Sequence, residues 1–559
     1  MAQSQTLPTW LDKLGDWNPQ LLREFKGRLS TRSILLTVAL VAIVQVLLMM
    51  NYIQQIPTEG IGFNSTYCIG GRFYENAGRA VTWANCTIDW QRWWRDIFNG
   101  LNTSIAFFIY LPAIYFLISD INQESQRGTL NFLRLSPRSS QTILLGKLLG
   151  VPSLTYLALI LVIPLHILCG TMAKISPLFF LSYYSVFIVF GAVLMMGALL
   201  IGLSRGTGDK SISIVASSKI FLGLLIAGAV VIPLFWAWNN SVLWTPYLSP
   251  GSINDRLDWF SLTLNRNPVI AHLFTFTNLT IVIVFLWQVL QRVFQNPIAT
   301  LISKRQSYIL VPYLVLLIIG FQIIRSSSKL SYNPSVESSL NIEIVEALIP
   351  WLFIGLTFAL STVRQTWFEW IYYRQTARLE TEGPSRIDRS RVDLVLGEKS
   401  PGLTAIGLNL LVVVGIIMTR LVFPDSGQQA SNLFGNWLGL MLMVPLVINY
   451  ALLVQWMLML KTQKRSTWAI GSLFFAIGLP SVIGFLFTTF GNKSQVAIIL
   501  LMCSPWYRGI LEISGRGTTP DMSDMPNMSN ITIALLIQAI VFVFLSSRVW
   551  SEYRKMLRS

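Results

Sequence analysis

The sequence predicts an all-α polytopic membrane protein with about twelve transmembrane helices, and three observations carry that prediction. Hydrophobic residues make up 53% of the 559-residue chain and charged residues only 12%, about half the charged fraction of an ordinary soluble domain. The mean hydropathy is +0.56. Apolar runs of about 20 residues, the length that crosses a bilayer as helix, recur from residue 33 almost to the C-terminus. This composition excludes a soluble enzyme, a secreted disulfide scaffold and a disordered chain.

Residues 1–32 are polar, and the apolar run that follows is too long for a cleaved signal sequence. Within this segment, 19–32 places Leu21, Leu22, Phe25 and Leu29 on one helical face, with Arg23, Glu24, Lys26 and Arg28 largely opposite. Such a helix is expected to lie on the membrane surface, in contact with lipid. The expected spans are 33–53, 98–118, 147–169, 178–202, 213–235, 269–290, 308–325, 344–363, 403–424, 437–460, 468–490 and 530–547. A further apolar run, 496–503, is too short to cross.

Lysine and arginine counts set the orientation. With the N-terminus inside, 28 of the 42 basic residues fall in inner segments and 12 in outer ones, Lys219 and Arg420 lying within spans. Both termini and the loops 119–146 and 364–402 are therefore expected in the cytoplasm. This bias, together with anionic lipid, accounts for the net charge of +16, so no nucleic-acid partner is expected. Cys68 and Cys86 share the outer loop 54–98, where an oxidising compartment would allow a bridge between them; two unrelated thiols is the other reading.

Loop lengths repeat. Each half has a long inner loop after its second span, a short basic inner loop after its fourth and a long outer stretch before its sixth. Thr245-Pro246-Tyr247 and Ser504-Pro505-Trp506 occupy matching outer stretches, and Arg292-Val293-Phe294 leaves the sixth span as Arg548-Val549-Trp550 leaves the twelfth. The expected organisation is an N-terminal segment 1–32, a six-helix half 33–297 and a second, degenerate half 298–559. The halves would run parallel, with a pathway between them.

Little in the chain suggests catalysis. The two histidines, His166 and His272, each lie in a span. Ionisable residues there are functional candidates, although a lone histidine more often makes a neutral hydrogen bond between helices. Met522, Met525 and Met528 recur beside Asp521 and Asp524; soft thioethers suit copper(I), but a polar loop containing methionine is the better account, and no metal is expected. Asp255 and Asp258 could suggest a membrane glycosyltransferase, the third and least favoured reading of function, but a lone D-x-x-D more often caps a helix. In Gly206-Thr207-Gly208-Asp209-Lys210-Ser211 an aspartate interrupts what would be a phosphate-binding loop. The longest hydrophilic segments are too short for a nucleotide-binding domain. The chain is therefore expected to be a non-enzyme without a cofactor of its own.

The inner loop after the second span is unusual. Glu124-Ser125-Gln126-Arg127-Gly128-Thr129-Leu130-Asn131-Phe132-Leu133-Arg134-Leu135-Ser136-Pro137 carries too many apolar residues for a solvated loop, and Gly146-Lys147 follows. Glu124, Arg127, Gly128, Thr129, Leu130, Pro137, Gly146 and Lys147 match a pattern of the permease subunits of ABC-2 type transporters, which the first half of the chain resembles. The resemblance implies an N-terminal interfacial helix and an exporter in a bacterial-type inner membrane. It also implies a loop that docks on separate cytoplasmic ATPase subunits, which bind the ATP. Leu130, Phe132, Leu133 and Leu135 would supply the docking face, and Glu124 and Arg127 orienting charges. A helix resting on lipid is the alternative for this loop. Family permeases commonly have six spans and pair, so this chain resembles a fused pair whose second half lacks the Arg-Gly-Thr-Leu stretch. An ion-coupled twelve-helix carrier is the second reading of function; such carriers place their long inner loop between spans six and seven, where this chain has only 291–307.

Overall fold

The computed structural model describes residues 9–56, 67–69, 87–204, 219–221, 223–244, 247, 256–297, 300–324, 340–362, 364–380, 392–397, 400–422, 430–462, 465–490, 495–507 and 528–558. Among them, ten helices are long and apolar enough to cross a membrane, or eleven if one bent pair is counted as a span. The chain is an all-α, multi-spanning membrane protein. It divides into two compact units, one built mainly from residues up to Pro297 and the other from residues 298–559 together with 254–263.

The first unit begins with two short helices, α1 (Thr9–Trp17) and α2 (Pro19–Arg28), followed by α3 (Thr31–Ile53). Strands β1 (Cys68–Ile69) and β2 (Thr87–Ile88) then pair antiparallel, Cys68 opposite Ile88. Cys86, and with it the expected bridge, lies outside the described residues. Helix α4 (Trp90–Arg127) has 38 residues, about 57 Å of helix, so it extends well beyond a roughly 30 Å hydrocarbon core. After it come α5 (Thr129–Leu135), α6 (Ser140–Gly150), α7 (Ser153–Met172) and α8 (Pro177–Leu203). Helices α9 (Lys219–Trp244) and α10 (Pro268–Gln295) complete the unit. Helix α4 packs on α7 and α8, α10 on α8, and α3 mainly on α7.

The third expected span, 147–169, is two helices. Pro152 has no N–H to offer the carbonyl of Leu148, and the hydroxyl of Tyr156 donates to that carbonyl instead at 3.0 Å. The helix therefore breaks at Val151-Pro152 between α6 and α7, and Gly146 and Lys147 belong to α6 rather than to α7. Helix α9 contains π-helical stretches at Ala227–Val231 and Asn239–Trp244. At its start, Lys219 donates to the carbonyls of Gly202 and Ser204, closing the C-terminal end of α8.

Polar side chains bind the first unit's spans together. His166 on α7 is fully buried. Its Nε2 lies 2.7 Å from Asn102 Oδ1 on α4 and its Nδ1 2.8 Å from the hydroxyl of Tyr184 on α8. An amide oxygen only accepts, so Nε2 carries the proton and Nδ1 receives the tyrosine's, which is a neutral imidazole. His272 on α10 donates from Nδ1 to the Pro268 carbonyl at 2.5 Å and accepts from Ser182 on α8 at 2.6 Å. Both histidines are interhelical hydrogen-bonding groups.

In the second unit β3 (Arg256–Trp259) is the middle of a three-stranded antiparallel sheet, flanked by β4 (Leu262–Thr263) and β5 (Phe321–Ile324). Helix α11 (Lys304–Ile319) has 16 residues and gives way to β5, so the expected span 308–325 is a helix that stops short. Gly320 sits where a Cβ would come within 2.3 Å of the Trp259 indole nitrogen. That indole donates to the Leu317 carbonyl at 3.0 Å, and the run Phe321–Ile324 pairs with 256–259. The unit continues through α12 (Leu340–Leu360), α13 (Arg364–Glu380), α14 (Gly402–Val422), α15 (Ala430–Met459), α16 (Arg465–Phe490), α17 (Gln495–Met502) and α18 (Met528–Arg558). Helices α12 and α13 meet at a 66° bend. Within this unit α12 packs on α14 and α15, α18 and α16 on α15, and α11 on α14. Amide groups tie these helices, with Asn449 donating to the Gln538 carbonyl and Gln455 to the Thr362 carbonyl, each at 3.0 Å.

Candidate functional site

The lysine- and arginine-rich end of the first unit gathers the residues that the sequence singles out. Asn18 caps α2, accepting from the Leu21 N–H at 3.1 Å, and donates to the Thr142 carbonyl of α6 at 2.9 Å. Glycines allow the two helices to touch. A Cβ at Gly146 would lie 2.8 Å from Asn18 and Gln20, and one at Gly150 2.6 Å from Glu24. Small residues four apart clear one strip of helix for a neighbour's close approach. Here the strip is Gly146-x-x-x-Gly150, and α2 lies on it.

Lys147 projects from that strip into a box of acids. Its side chain is 0% exposed, and its ammonium lies 2.7 Å from Asp120, 2.8 Å from Glu124 and 3.6 Å from Glu24. Two arginines close the box from α2. Arg23 reaches Glu124 at 2.7 Å, and Arg28 reaches Asp120 at 2.6 Å and Glu24 at 3.3 Å. Three carboxylates thus face three cations. Burial acts to deprotonate Lys147, but the surrounding carboxylates outweigh it and raise the amine above its ordinary value. Oxygens of Glu24, Asp120 and Glu124 come within 4.8 Å of one another, a spacing that a divalent ion would also accept, yet here the ammonium of Lys147 fills it.

The cluster bears on two expectations. Glu124 is held by Lys147 and Arg23 and is no free charge for orienting a partner. The apolar arc of α2 runs from Leu21, buried with Gln20 and Glu24 on the side facing α6, to Leu22, Phe25 and Leu29, which are half-covered to exposed. Glu24 lies inside because its charge has buried partners there, which amphipathic patterning does not reveal.

Beyond the cluster, Gly128 ends α4 in the left-handed region at φ +74°, the backbone state that glycine adopts without strain. The chain turns at once into α5. Leu130 faces inward at 5% exposure and Leu133 is intermediate, whereas Phe132 is 75% and Leu135 86% exposed. Positions 132 and 135 are three apart and so share a face. The outward apolar face of α5 is Phe132 with Leu135, in place of the expected four-residue face. Arg127, Thr129 and Pro137 are exposed around it. Arg134 lies 5.6 Å from the Phe294 ring at the end of α10, a cation–π contact that ties α5 back to the unit.

At the opposite end of α4 is a polar cavity of about 680 Å³, whose lining includes Tyr52, Tyr67, Arg95, Asp96, Asn99 and Trp236. Burial, with help from Asp96, pushes the Tyr67 hydroxyl up to about 12. Met522 and Met525 lie outside the described residues, as does Asp255. Comparison with known proteins finds no matching family model, curated relative or solved structure.

Proposed function

We propose that this chain is the membrane-spanning permease of an ATP-driven exporter in a bacterial-type inner membrane, coupled to separate cytoplasmic ATPase subunits through α5. The observation that carries this is the exposed Phe132–Leu135 pair on a helix held at three points: the left-handed turn at Gly128, the buried side of Leu130 and the Arg134–Phe294 contact. A coupling element has to be stiff and sticky at once. The box around Lys147 supplies the stiffness, locking α2, α4 and α6 together where force from a partner would enter. Ion-coupled carriage has less support, since the first unit's clustered carboxylates are already neutralised by Lys147, Arg23 and Arg28. The polar cavity near Asp96 would serve as the outer part of a pathway.

Purification of the whole chain from its own membranes tests the proposal. A stoichiometric ATP-hydrolysing subunit should accompany the wild type and be lost from Phe132→Asp/Leu135→Asp, with the yield of inserted chain unchanged. Equal recovery of such a subunit with both proteins would take α5 out of the interface.

A further inference from the structure

Helix α3 has no buried residue along its 23-residue length, although it stands beside α4 and α7. It leaves between them a slot of about 280 Å³ that starts at Ser33 and reaches Leu48. The rise from Ser33 to Leu48 along the helix makes it about 22 Å long, more than half the depth of a roughly 30 Å hydrocarbon core. The walls are mostly aliphatic and aromatic, and their few polar side chains already have partners. Thr37 donates to the Ser33 carbonyl, Gln45 to the Leu161 carbonyl, Ser104 to the Gly100 carbonyl and Thr155 to the Pro152 carbonyl. A polar solute would find few hydrogen bonds in such a slot, whereas an alkyl chain needs none. One end is chemically distinct. Arg32 precedes Ser33, is exposed, and has no carboxylate partner among the described residues, in contrast to Arg23 and Arg28 close by.

We infer that the slot is a binding site for one anionic phospholipid, whose acyl chain lies between α3, α4 and α7 and whose phosphate meets Arg32. The lipid supplies packing for α3 along the slot, and its headgroup pairs the exposed Arg32 beside the slot's Ser33 end. This inference stands apart from the proposed coupling, since neither α5 nor the Lys147 cluster takes part.

The test is native mass spectrometry of the whole chain after exchange into an equal mixture of phosphatidylglycerol and phosphatidylethanolamine. The wild type should retain one phospholipid per chain, enriched several-fold in phosphatidylglycerol. Two fillers of the slot from different walls, Ala158→Phe on α7 and Val44→Trp on α3, should each release it. Arg32→Glu should keep a lipid but lose the enrichment. Retention unchanged in both filled variants, or enrichment unchanged in Arg32→Glu, would overturn the assignment. So would filled variants that convert a paired chain to a single one without losing lipid, since the slot would then be a contact between copies.

Discussion

Lys147 keeps a full charge where water is excluded, because three carboxylates converge on it. Removing the ammonium while leaving the acids is far more damaging than the loss of one ion pair suggests, since the remaining carboxylates would repel one another in a low-dielectric site. Lys147→Met should therefore lower stability by about 3–5 kcal/mol, measured by denaturant unfolding of the detergent-solubilised chain. A change below 1 kcal/mol would mean that water reaches the cluster. Sequence alone marked Lys147 as noteworthy but could not give its role. Its partners come from α2 and α4, and only the glycine strip that brings α2 onto α6 makes them neighbours. The signal was present in Gly146-x-x-x-Gly150, which one glycine and its lysine, read as a motif, did not reveal.

Among the elements, the long apolar runs were the most legible, because a bilayer leaves the backbone little choice but helix. Run 308–325 is the instructive exception. Hydropathy cannot distinguish the last turn of a helix from a short apolar strand, and the partner that makes Phe321–Ile324 a strand lies at 256–259. The start of α11 carries a second buried lysine with different chemistry. Lys304 donates to the Leu394 carbonyl at 3.0 Å, to Thr404 at 3.1 Å and to Ser400, all neutral acceptors. Burial alone pushes its amine down to about 8. The folded chain then binds fewer protons than the unfolded one between about pH 8 and the ordinary lysine value of 10.5, so stability should rise with pH across that window. Comparing unfolding of the wild type and Lys304→Gln from pH 7 to 10 checks this. The wild type should gain stability relative to the variant as pH rises, and parallel curves would contradict the assignment.

At the scale of the whole molecule, the charge bias and the exposed face of α5 make separate claims about one side of the membrane. If the 28 basic residues of the expected inner segments face the cytoplasm, a cysteine replacing the exposed Ser125 should react with a permeant thiol reagent and not with an impermeant one applied to intact cells. Reaction with the impermeant reagent would invert the topology and leave α5 facing away from any ATPase. The docking claim is tested most directly by a photoreactive amino acid at position 132, activated in membranes that also contain a photolabelled ATP analogue. The expected result is a cross-linked product in which a second, soluble-type chain carries the nucleotide label, formed at Phe132 and absent when the probe is moved to the buried Leu130. Adducts with lipid alone from position 132 would contradict it and make α5 a helix that rests on the bilayer.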